Sequence, residues 1–207
     1  MRRLLGIMAL ALLVGSVPAL ATIVGSPHDL SSWDTGGTTT GEVCIFCHTP
    51  HNANTNEPLW NHSLSATTSF TIYTSSTMNA LETAFANNSI SGLCMSCHDG
   101  ATAITAVTNS SRTNITAGGA MTSNAALGTN LSDDHPVGIT YGVDGGGMVA
   151  AATAQENGIV LFGGSNDQVE CSSCHDVHEW GTTAAGDRPF LIVSNNSSDL
   201  CQACHGK

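Results

Sequence analysis

Four strings repeat one pattern: Cys44-Ile45-Phe46-Cys47-His48, Cys94-Met95-Ser96-Cys97-His98, Cys171-Ser172-Ser173-Cys174-His175 and Cys201-Gln202-Ala203-Cys204-His205. Together they take up all eight cysteines of the 207-residue chain. C-x-x-C-H is the attachment signature of c-type haem, and at this composition chance would supply on the order of 0.01 such strings. The spacing has a chemical reason. Two thiols three positions apart on one helical turn reach the two vinyl groups of a haem, and the histidine that follows is turned under the iron. Disulfides and zinc sites are the competing uses of C-x-x-C pairs. Neither calls for a histidine after every second cysteine. The strings therefore predict four covalent haem c groups, with Cys44, Cys47, Cys94, Cys97, Cys171, Cys174, Cys201 and Cys204 as the thioether residues. His48, His98, His175 and His205 are the expected proximal iron ligands.

The composition agrees with a core made of something other than side chains. Hydrophobic residues make up 41% of the chain, but aromatics only 5% and charged residues 10%, with 22 glycines. Four haems among the residues that follow the leader leave roughly 46 residues for each apolar disc. The fold class expected is mostly irregular coil with short helices, wrapped around four covalent haems. Helices are expected at each C-x-x-C-H and over Met78 to Ala86, where Met78, Leu81, Glu82 and Phe85 fall at helical spacing. The Gly-, Asn-, Ser- and Thr-rich stretches 108–132 and 142–166 read as loops.

Residues 1–21 read as a secretory signal: Arg2 and Arg3, then an apolar run from Leu4 to Val17, then Ala19-Leu20-Ala21 as an A-x-A cleavage pattern. The run is shorter than the roughly 20 residues that span a bilayer. The mature chain is expected to be a single domain, 22–207, exported from the cytoplasm and without a transmembrane segment. Cleavage leaves Arg112, Arg188 and Lys207 against 16 acidic residues, a net charge of −13. That sign excludes nucleic acid as a partner and repels small anions.

A six-coordinate haem iron needs a second axial ligand. The histidines outside the four strings are His28, His51, His62, His135 and His178, five candidates for four irons. Bis-histidine ligation throughout would leave one spare, with His28 or His62 the choices. Met78, Met95, Met121 and Met148 form the runner-up ligand class. His51 and His178 follow His48 and His175 by three residues, so each lies on the same side of its own haem plane and must serve a different one. Such short bridging segments draw macrocycles together. His135 precedes Pro136, which biases it to extended backbone, and Trp60 beside His62 is suited to packing on a macrocycle.

The whole mature chain resembles the secreted tetrahaem cytochromes of metal-reducing bacteria, including filament-forming (nanowire) members. The resemblance is carried by the doubled motifs and by Ser26-Pro27-His28-Asp29-Leu30, Cys47-His48-Thr49-Pro50-His51-Asn52, Pro58-Leu59-Trp60-Asn61-His62 and Asp134-His135-Pro136-Val137-Gly138. It implies an electron-transfer protein, not an enzyme, that polymerises into a continuous line of bis-histidine haems and delivers electrons outside the cell to other cytochromes or metal oxides. It also implies that one axial histidine comes from the neighbouring subunit, with His51 favoured and His28 second. A monomeric periplasmic shuttle similar to cytochrome c3 is the alternative, although those proteins are often lysine-rich. A multihaem reductase with an open iron is a further rival, and three cations are few with which to build an anion channel.

Overall fold

A computed structural model of the chain describes residues 23–32, 41–54, 59–78, 86–109, 115, 118–142, 147–179 and 190–206. The expected signal sequence, residues 79–85 of the expected Met78–Ala86 helix, and Arg112, Arg188 and Lys207 lie outside the described residues. Most of what is described is irregular, punctuated by short helices and very short strands.

Each cysteine motif sits on a helical turn. The first follows a 3₁₀ turn over Val43–Phe46 and the third opens on one over Cys171–Ser173. The second occupies α1, Ile90–His98. Helix α1 is entered through Ser89, whose hydroxyl accepts from the Gly92 backbone N–H at 3.1 Å, satisfying one of the donors a helix start leaves over. Gly92 admits no side chain, because a Cβ there would collide with the backbone carbonyl of Asn87.

One expectation is corrected. The stretch 142–166 is not all loop: Ala151–Glu156 forms α2. Its run of alanines outweighs the flanking glycines, since alanine loses the least on entering a helix. The helix stops at Asn157-Gly158, where Gly158 takes φ +98° and its N–H donates to the Gln155 carbonyl, while that of Ile159 donates to Ala154. The fourth motif lies on α3, Asp199–Cys204, and α2 packs on it through Ala154 and Ala203, both buried.

Strand β1 (Thr71–Ile72) pairs in parallel with β2 (Asn130–Leu131), which lies at the edge of the expected 108–132 loop. Strand β3 (Ile139–Thr140) pairs antiparallel with β4 (Gln168–Val169), Ile139 facing Val169. Among the described residues the apolar interior is divided among three clusters instead of forming one core. Leu30, Phe46 and Ile104 make the first, with Cys47 and Cys97 against it; Phe70, Met95 and Leu131 make the second; Tyr141, Ala154, Ile159, Leu161 and Ala203 make the third, with Cys204 against it. Clusters this small bury little area each, so apolar burial alone gives only modest stabilisation.

Candidate functional site

The four motifs meet in sequence order. Cys97 is close enough to Cys47 for their charges to interact, Cys94 and Cys171 share a side-chain hydrogen bond, and Cys174 neighbours Cys204 and Cys201. Burial pushes the Cys97 thiol up to about 12, helped by the charges of Cys47 and Asp99. Burial also raises Cys47 to about 11 and Cys174 to about 11, the latter with its neighbouring thiols. Those thiols are neutral at pH 7.

Three candidate histidines stand opposite motif histidines. The ring centres of His28 and His98 are 6.1 Å apart, those of His48 and His178 6.2 Å, and those of His135 and His205 6.5 Å. Each pair joins one motif histidine to one candidate from a distant part of the chain. An iron bonded to one nitrogen of each ring at about 2.0 Å, with each ring centre about 1.1 Å behind its nitrogen, would set the centres about 6.2 Å apart. The three spacings fit that group.

Ring hydrogen bonds favour the same arrangement. His98 Nδ1 lies 2.7 Å from the Ala125 carbonyl, His135 Nδ1 3.1 Å from the Pro136 carbonyl, and His178 Nδ1 3.2 Å from Asp176 Oδ1. A donor bond from Nδ1 fixes the tautomer and leaves the Nε2 lone pair for a metal. His28 is stacked on Phe190 with ring centres 4.6 Å apart, and its Nδ1 is buried with no hydrogen-bond partner. Burial, together with the nearby His98, His175 and His178, lowers its pKa to about 4, so the imidazole is neutral at pH 7, the form that binds metals. His48 is lowered by burial and by His178, partly opposed by its hydrogen bond at Leu59.

The remaining candidates differ sharply from one another. His62 is almost completely buried, with Nδ1 2.9 Å from the Ser63 carbonyl and Nε2 3.2 Å from the Ile104 carbonyl. Both nitrogens are thereby turned to backbone oxygen. His51 is exposed, and its main-chain carbonyl is pinned by Thr49 Oγ1 at 2.8 Å and Asn109 Nδ2 at 3.0 Å. No family model matches the chain, and no curated protein matches it. Three of the four candidate methionines are in apolar packing: Met95 is in the second cluster, Met121 packs against the first and Met148 against the third.

Two supporting residues were not singled out by the sequence reading. Asn61 is fully buried and laces the first motif to the 103–109 segment. Its Nδ2 donates to the Ile45 carbonyl at 2.6 Å and its Oδ1 accepts from the Asn109 N–H at 2.8 Å. Asp99, directly after His98, accepts from Ser65 Oγ at 2.5 Å, from the N–H groups of Ala101 and Thr102 at 2.9 and 2.8 Å, and from Thr102 Oγ1 at 2.7 Å. Burial raises its pKa, but these bonds outweigh it and hold the carboxyl below its usual range. Its one sequence signal is a position adjoining a motif histidine. Trp60 stands edge-on to His48 with ring centres 6.1 Å apart, and its Nε1 is buried without a partner.

Proposed function

We propose that the chain is a tetrahaem c-type cytochrome that carries electrons through four bis-histidine haems. The observation that carries this reading is the set of three imidazole pairs, each matching a motif histidine with a distant candidate at iron-bridging distance. Bound there, haem supplies a one-electron couple.

The chain's own residues do the rest. The motif cysteines would hold each haem covalently, and the paired histidines would supply the ligands of its iron, leaving no position for a substrate. Nδ1 bonds at His98, His135 and His178 hold the rings in orientation. The meeting of motifs one with two, two with three, and three with four sets neighbouring sites close together, as electron hopping requires. His28 is near residues of two motifs at once, since His98 of the second and His175 of the third both act on it, with His178 beside them.

In this reading His62 is the spare histidine, and His51, exposed and outside the three ring pairs, supplies a ligand to a neighbouring subunit. The product is a filament that conducts electrons outside the cell to cytochromes or mineral oxides, its −13 charge offset by buried contact, a ligand bond or cations. No helix among the described residues is long and apolar enough to cross a membrane.

Electron paramagnetic resonance of the oxidised protein tests the ligation: only low-spin iron is expected, and a high-spin signal of one full haem would overturn it. His51→Met is expected to abolish filaments under the electron microscope while four haems stay attached. Unchanged filaments would remove His51 from the crossing role.

A further inference from the structure

Between the second and third motifs lies a carboxylate that the electron-transfer reading does not use. Glu170 is 4% exposed, directly ahead of Cys171. It accepts a hydrogen bond from the Ser91 N–H at 3.1 Å and another from the Ser91 hydroxyl, while the Ser173 N–H donates to the Glu170 main-chain carbonyl at 2.9 Å. The Ser91 hydroxyl in turn accepts from the Cys171 N–H at 2.9 Å, and the Ser173 hydroxyl accepts from the Glu170 N–H at 2.9 Å. Ser91 and Ser173 are themselves buried. The carboxylate is thus locked between the start of α1 and the 171–173 turn, with hydroxyl and backbone donors around it. No arginine or lysine is among the described residues. Its charge acts on both motifs: it adds to the raised pKa of Cys94 and opposes the lowering of Cys171, whose hydrogen bond with Cys94 holds that thiol below its usual range. Burying a negative charge costs stability, and hydrogen bonds to neutral groups recover only part of that cost. A neutral glutamine could fill the same place.

We propose that Glu170 sets the reduction potentials of the two haems held by Cys94, Cys97 and His98 and by Cys171, Cys174 and His175, lowering both. This rests on the haem reading above. The oxidised form of a haem carries one more positive charge than the reduced form, so a fixed negative charge favours oxidation. At an effective dielectric constant of about 20, a unit charge about 10 Å away changes such an equilibrium roughly tenfold. For a one-electron couple that is about 59 mV. Glu170 acts by its charge and is not required for haem attachment.

The test is a spectroelectrochemical titration of the full chain carrying Glu170→Gln, with Glu170→Met as a second neutral variant and Glu170→Asp as the charge-retaining control. Covalent haem is counted by mass spectrometry in every sample. Both neutral variants are expected to keep four haems and to raise two of the four one-electron steps roughly tenfold in equilibrium constant, while the aspartate variant follows the wild type. Unchanged steps in chains that hold four haems would overturn the role of Glu170 and leave the haem reading standing. So would an equal shift of all four steps, a shift in the aspartate variant matching the neutral ones, or loss of haem from both neutral variants. A wild-type chain with no covalent haem would overturn the haem reading itself and the inference with it.

Discussion

Replacing His178 by alanine separates the ligand assignment from every rival arrangement of the same histidines. In the structure the His178 ring centre is 6.2 Å from that of His48, and its Nδ1 is 3.2 Å from Asp176 Oδ1, so the ring is both in reach and oriented. Alanine removes the ring and leaves a gap of more than an imidazole's length opposite His48. With four motifs in the chain, one iron of four loses its distal ligand. About a quarter of the oxidised iron should therefore pass from low spin to high spin. Integrated electron paramagnetic resonance on protein verified to carry four haems reads that fraction directly. The matched control is His62→Gln: His62 has both ring nitrogens on backbone carbonyls, so its loss should leave all iron low-spin while weakening the segment it ties. Low-spin iron throughout in the His178 variant, or a quarter of high-spin iron in the His62 variant, would refute the pairing.

Two further substitutions probe the frame that holds the sites. Asn61→Ala removes the side-chain bonds to Ile45 and Asn109 and leaves buried backbone groups unsatisfied; a loss of about 2–4 kcal/mol is expected in denaturant unfolding, with haem content unchanged. Gly92→Ala should force the start of α1 away from the Asn87 carbonyl, costing about 1–3 kcal/mol and lowering the melting temperature.

The C-x-x-C-H strings are legible in the chain because their pattern is local. Two cysteines and a histidine within five consecutive residues need only one helical turn to act together, and the structure places a turn at each motif. The irregular character was legible too, from scarce aromatics and abundant glycine. Helix α2 was hidden for the opposite reason: its short alanine run is surrounded by loop-forming residues, and burial of Ala154 against α3 helps to decide the outcome. Glu170 and Asn61 carried no sequence signal of their own. Each matters through distant partners, Ser91 at 79 residues from Glu170 and Asn109 at 48 residues from Asn61.

The sequence by itself determined which side chains the proposed four haems would use and which five histidines would compete for their second ligand positions. Only the tertiary structure brought His28 to His98, His48 to His178 and His135 to His205, and turned both nitrogens of His62 to backbone carbonyls. The physical reason is range. A motif histidine is positioned by the turn it sits on, whereas a distal one arrives through loops of 70 to 130 residues, whose path is set by packing and hydrogen bonds that no local pattern encodes.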